Sequence, residues 1–373
     1  MKLCRGVLLV LDTQATPFTL EVVLCRIASF VSSYPPGVGV APSAYGARKL
    51  PPATHLGGPR LWQRYNCPTT TTATPFTRIW CCFEESIAAW RSVEERDTNS
   101  LLLDVAATDL CHIAHVITDG LVGAETRVLP ILGLLCKSRR EQSFPMDLLQ
   151  KGLSVDIATA QASKEEDKTR ILNSVRCPRA RTWALDTPFP TQHPRYDAVN
   201  KALASHFALT SIQQSYRNGQ QAPSTLWQAL RSDAERRNIQ VSLTGCHNFR
   251  DPDLRILIDN LPSKLQSLRL DLAYTGLERL DDLAGASFGN ALQTLVIRFA
   301  GSLRSISGLS ALLCPSLRRL ELWLSDLPDL EDIELGVSNK ALLKLRLEEL
   351  VLYVNGCPSV PRESKTALKL GVV

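Results

Sequence analysis

Leu292–Ile297 reads LQTLVI. The same frame, L-x-x-L-x-L with an apolar closing residue, recurs as LQSLRL at Leu265–Leu270, LRRLEL at Leu317–Leu322 and LEELVL at Leu347–Leu352. The closing residues fall at 270, 297, 322 and 352, and Leu243 of IQVSL stands one interval earlier, so the units are 27, 27, 25 and 30 residues long. Side chains alternate between two faces along an extended strand. The frame therefore predicts one short strand per unit, with Leu268, Leu295, Leu320 and Leu350 turned into a core and their alternate neighbours turned out. No unit of that size buries its own leucines; stacking on the next unit does. The outward positions Arg269, Asp271, Arg298, Glu321, Trp323, Val351 and Tyr353 mix charge with aromatic surface, which suits them to binding a protein partner.

Such spacing is that of leucine-rich repeats, in which each unit contributes one strand to a concave sheet and returns through a helical or irregular segment. Thr275–Phe288, TGLERLDDLAGASF, supplies one return. An asparagine is expected three residues after the closing residue of each strand. Those positions hold Ala273, Ala300, Ser325 and Asn355, so the side-chain ladder survives in the last unit only. The expectation is an irregular solenoid over residues 238–357, followed by a tail over 358–373.

The pentapeptide ATPFT occurs twice, at Ala15–Thr19 and Ala73–Thr77. Between the copies, residues 20–72 carry proline and glycine at intervals that allow neither a helix nor an alternating strand, apart from Val22–Val31. Without them the chain reads GVLLVLDTQATPFTRIWCCFEESIAAW: a short apolar strand within residues 1–19, a loop, and a helix from near Arg78. Residues 20–72 thus read as an insertion between direct repeats, either a translated intron or a variable loop.

Downstream, Ser100–Ala106 predicts a buried strand, His115–Val122 a second strand or its lead-in, and Glu125–Arg139 a helix. Leu153–Ala160 is expected to contain a short strand. Ala162–Val175 is expected to be a helix, with Ser163 as N-cap and Glu165 and Glu166 in the first turn. Strands alternating with helices predict an α/β region over 73–176 with a mostly parallel sheet. Cys177–Arg195 holds four prolines and reads as a linker. Residues 196–237 read as a helical connector, with helices at Tyr196–Tyr216 and Ser224–Arg237.

A chain of 373 residues has room for two domains. Its formal charge of +5 comes from residues spread along the chain, with no basic block interleaved with aromatics, which argues against nucleic acid as a partner. The eleven cysteines are odd in number and show neither CxxC pairs nor a disulfide spacing, so they read as reduced thiols of a cytoplasmic protein. Lys2 and Arg5 ahead of Gly6–Leu11 imitate a signal peptide, but the apolar run is short and Asp12 stops it. No run is long enough to cross a bilayer, so no membrane partner is expected.

TRIWCCFEES resembles the SxWCLxEL helix start of TIR domains, with Trp80, Cys81 and then Glu84 in the glutamate position, and LLVLD resembles the strand that feeds that helix. Together with SFPMDLLQKGLSVDI and KEEDKTRILNSV, these residues resemble a group of dinoflagellate proteins in which a TIR-like α/β domain is often followed by leucine-rich repeats. The resemblance covers residues 6–19 and 73–176, with the repeats beyond. It implies a partial TIR-like, flavodoxin-like parallel-sheet region acting as a signalling module. In TIR domains that cleave NAD, the motif's glutamate stabilises the oxocarbenium-like transition state as nicotinamide leaves. The resemblance assigns that role to Glu84, with NAD bound only in that reading. The departures are that nothing before Gly6 matches the family's first half, and that Cys82 and Glu85 replace the motif's two leucines. Taken without the resemblance, Glu84 is a first-turn carboxylate favoured by the helix dipole. Trp80 and Phe83 are then core anchors. The expected function is recognition of a protein by a repeat surface attached to a degenerate TIR-like module, with no cofactor; the alternative is an NAD-cleaving enzyme.

Two further motifs lead nowhere. GASFG at Gly285–Gly289 matches G-x-S-x-G, but all six histidines precede Ser287, whereas that hydrolase arrangement needs one later in the chain. Cys111, His112 and His115 have no second group to complete four ligands, so no metal is expected.

Overall fold

The structure, a computed structural model, describes residues 6–11, 102–108, 114–118, 120–121, 125, 130–162, 164–177, 187–283, 291–331 and 347–359. The insertion at 20–72, the Glu84 motif, Cys111, His112, the GASFG stretch and the tail beyond 359 lie outside these residues. The class is α/β. A three-stranded sheet holds β1 (Gly6–Leu11), β2 (Leu102–Thr108) and β3 (Ala114–Thr118) in that order. Helices α1 (Pro130–Glu141), α2 (Met146–Gly152), α3 (Glu165–Arg176), α4 (Pro194–Arg217) and α5 (Ser224–Ser232) follow. A second sheet then takes β4 (Asn238–Ser242), β5 (Ser267–Thr275), β6 (Thr294–Gly301), β7 (Arg319–Ser325) and β8 (Glu349–Asn355), all parallel and in sequence order. Helix α6 (Asp251–Asp259) lies between β4 and β5.

In the first sheet β1 and β2 are parallel, but β3 runs antiparallel to β2, against the parallel expectation. The connection across residues 109–113 is too short for the crossover that a parallel pair requires. Leu153–Ala160 forms turns rather than the expected strand. Asp156 diverts the backbone: its Oδ1 accepts from Ala158 N at 3.0 Å and from Asn200 Nδ2 at 3.0 Å, while Ile157 N donates to Asn200 Oδ1. Val155 and Ile157 still enter the core. The N-cap of α3 is Lys164 without a side-chain cap, and three acids in its first turn favour the positive end of the helix dipole. Helix α4 starts before the predicted Tyr196, because Pro194 suits the first helical position and His193 Nδ1 accepts from Arg195 N.

Helix α4 serves two cores. From its start to Phe207 it sends Tyr196, Val199, Leu203 and Phe207 among Val105, Ile117, Leu149, Ile157 and Leu172. Beyond Phe207 it sends Leu209, Ile212 and Tyr216 into the core beneath the second sheet. Tyr216 stacks edge-on against Phe249 at 5.0 Å and donates to buried Asp253 Oδ1 at 2.8 Å. The first strand of the five therefore has a ready-made neighbour along its inner face.

Register in the second sheet follows the leucine frame. Ile239, Leu268, Leu295, Leu320 and Leu350 are paired in one row, and Val241, Leu270, Ile297, Leu322 and Leu352 in the next, all facing the same core. Two recurrent backbone features mark the strand ends. At the start, Gln266 N donates to Arg237 O, Gln293 N to Gln266 O, Arg318 N to Gln293 O and Glu348 N to Arg318 O, all at 2.7–2.9 Å. At the finish, Gly245, Tyr274, Gly301, Asp326 and Gly356 hold positive φ of 78, 55, 106, 52 and 66°. Each lies three residues beyond the row Ser242, Asp271, Arg298, Trp323, Tyr353. A side chain in that region costs free energy that glycine avoids, and three of the five positions are glycine.

Candidate functional site

The seven residues expected on the outward face all lie there, in adjoining rows. One row is Gln240, Arg269, Val296, Glu321 and Val351; the next is Ser242, Asp271, Arg298, Trp323 and Tyr353. They are not equally open. Asp271 is wholly buried and Glu321 nearly so, which corrects the expectation that both stand at the surface.

For Asp271 the cause is helix α1, which packs across the outward face of β4 and β5 and reaches β6, whereas Glu321 on β7 is enclosed by Arg319 and Trp323. Buried Leu134 packs on buried Val296, with Leu121 and Trp323 at the margin. Toward the helix C-terminus the contact turns polar: the single hydroxyl proton of Ser138 faces two acceptors, Ser242 O and Gln213 Oε1, each 3.1 Å from Oγ. Arg217 of α4 donates to Ser138 Oγ and to Gln142 Oε1. Its burial lowers the guanidinium pKa. Lys137 and Glu141, one helical turn apart, form a buried pair at 2.6 Å, and Glu141 Oε1 also accepts from Thr118 N. Arg140 ties the other side of α1 to the first sheet through Val116 O, Thr118 Oγ1 and Glu125. Helix α1 thus joins the two sheets by occupying half of the outward face.

Beneath that cover, burial pushes the Asp271 carboxyl above its usual range. A hydrogen bond from Thr244, the Arg298 guanidinium at 3.7 Å, the amide of Ala273 and the hydroxyl of Ser242 oppose the rise. Asp271 is therefore a structural acceptor that organises the ends of β4 and β5.

At β7 and β8 the face is open. The rings of Trp323 and Tyr353 stack with centroids 3.8 Å apart and planes 22° from parallel, and Tyr353 is 45% exposed. A chain of polar contacts sets the tryptophan: its Nε1 donates to Glu321 Oε1 at 2.7 Å, Glu321 Oε2 accepts from Arg319 at 2.7 Å, and Arg319 also reaches Glu349 at 2.7 Å. The hydrogen bond to Glu321 raises the Arg319 pKa. Tyr274, 42% exposed at the end of β5, donates to Asp326 Oδ2 at 3.1 Å, and that bond raises its pKa. The orientation of the aromatic pair is thus set by contacts within the chain.

Sequence reasoning missed the cover. One signal for it was available: Val296 is apolar between Arg269 and Glu321, its two neighbours in the row. Glu84 lies outside the described residues. Of Cys111, His112 and His115 only His115 is described; its Nδ1 lies 2.9 Å from Ser143 Oγ. Among the described residues there is no group of three or more metal-ligating side chains. No helix among them is long and apolar enough to cross a membrane. In comparison with known proteins, no family, no curated protein and no solved structure matches the chain.

Proposed function

We propose that this protein recognises another protein through the outward face of its five-stranded sheet, as a leucine-rich-repeat solenoid attached to a degenerate TIR-like signalling module. The observation that carries this reading is the Trp323–Tyr353 stack, preset by Glu321 and left open beside a face that is otherwise covered. Aromatic side chains fixed before binding lose little conformational entropy when a partner arrives, and they dominate the energetics of many interfaces. The solenoid assignment rests on the 25–30 residue period, the rows of inward leucines and the recurrent positive-φ ends. The TIR-like assignment rests on sequence resemblance alone.

A photo-crosslinking residue at position 353 tests the binding reading, with the same residue at Ile256 as control. Ile256 is 41% exposed on α6, on the return side of the sheet. The expected result is a discrete protein adduct from position 353 that is absent from position 256. Equal adducts, or none at 353, would refute the reading.

A further inference from the structure

The outward face carries three arginines and three carboxylates along β5 to β8, and their pairing leaves a remainder. Asp271 is taken by Arg298 and by hydroxyl and amide donors. Glu321 is taken by Arg319 and Trp323, and Glu349 by Arg319. Among the described residues of this face, Arg269 is the guanidinium left with neither a salt bridge nor a hydrogen bond, and its buried Nε has no acceptor. The Nε of Arg319, close enough to oppose the charge of Arg269, is likewise buried without a partner, as is Oε1 of Gln240, the neighbour of Arg269 on β4. Burial lowers the Arg269 pKa, with Glu321 acting against that and Arg319 adding to it. A partly desolvated guanidinium without an acceptor is costly, and a carboxylate satisfies it with two parallel hydrogen bonds.

Resting on the recognition reading above, we infer that the partner presents an acidic segment, one of whose side-chain carboxylates pairs with Arg269. Glu321 distinguishes a carboxylate from a phosphate. It lies near enough to act on Arg269, so a dianionic group would meet a fixed negative charge that a single carboxylate meets at half strength. Three strands away on the same face, half-buried Val351 and exposed Tyr353 on β8 offer apolar contact to another part of the same segment.

The test pans a random-peptide library on the full chain, with counter-selection on Tyr353→Ala, and titrates one selected peptide by fluorescence anisotropy. The peptide is also made with its acidic residue as glutamine and as phosphoserine. The account expects selected peptides to carry aspartate or glutamate. Arg269→Ala should weaken binding about tenfold or more, Arg269→Lys should weaken it less, and the charge-matched Arg279→Ala on an exposed return should leave it unchanged. The glutamine peptide should lose a similar factor on the unaltered chain and lose nothing further on Arg269→Ala. The loss measured on the unaltered chain does not depend on any variant folding. Equal weakening by Arg269→Ala and Arg279→Ala, or tighter binding of the phosphoserine peptide, would overturn the inference. Selected peptides without acidic residues would overturn it while leaving the recognition reading intact. Failure to enrich any peptide dependent on Tyr353 would count against both.

Discussion

Leu295 and Leu350 occupy the same register row, yet replacing each by alanine should have different consequences. Leu295 is 1% exposed on β6, paired with Leu268 on one side and Leu320 on the other. Truncation removes three carbons, worth about 2.4 kcal/mol in transfer free energy at ~0.8 kcal/mol each. The strands on both sides are pinned by their hydrogen-bond ladders, so the site closes little around the void. The cavity term then brings the cost to about 3–5 kcal/mol. Leu350 is only half-buried on β8, the last described strand of the sheet, and its truncation should cost about half as much. Urea unfolding of the two variants, followed by far-UV circular dichroism, gives the two costs directly provided the m-values stay equal. If Leu350→Ala costs as much as Leu295→Ala, β8 is not the thin end of the stack. If Leu295→Ala is neutral, the inward and outward rows have been exchanged.

Three other outcomes follow from the same geometry. Leu134→Ala removes the apolar anchor of α1 on Val296, so hydrogen exchange in α1 should quicken about tenfold while α4 is unchanged; uniformly faster exchange would mean that α1 is not a separable cover. Gly301→Ala and Gly356→Ala should each cost about 1–2 kcal/mol in thermal unfolding. The backbone there is left-handed, and at Gly356 a Cβ would come within 2.7 Å of Asp326 Oδ1, so neutral substitutions would contradict the repeated strand-end geometry. Because the folded pKa of Asp271 is raised, the folded state holds that proton more tightly than the unfolded chain. Its contribution is therefore fully present below the unfolded value near 3.8 and lost as pH rises through the folded value. Asp271→Asn should abolish that part of the stability profile between acid and neutral pH; an unchanged profile would show that Asp271 is not the buried carboxylate responsible.

The strand frame was legible because period-two alternation and a fixed repeat length act locally, and every predicted inward leucine sits in one row. The strand ends were half legible. Glycine marks positive φ at 245, 301 and 356, whereas Tyr274 and Asp326 hide the same conformation behind ordinary side chains. Helix α1 was legible as a helix but not as a cover, because its contact with Val296 joins segments far apart in sequence and no local rule connects them. For the same reason Asp271 and Trp323 read as free surface residues. Trp323 packs at the edge of the Leu134–Val296 contact, so Trp323→Ala disturbs that packing as well as any binding. Tyr353 is the cleaner probe.

Recognition through the outward face depends most directly on Tyr353. Hydroxyl-radical footprinting of the full chain, alone and with the protein captured from position 353, reads its exposure together with that of Ile256 and Leu132, all three open in the unbound chain. The predicted result is strong oxidation of all three alone, and protection of Tyr353 but not of Ile256 or Leu132 with the partner bound. Unchanged oxidation of Tyr353 alongside protection of Ile256 would place the binding surface on the return side and contradict the account.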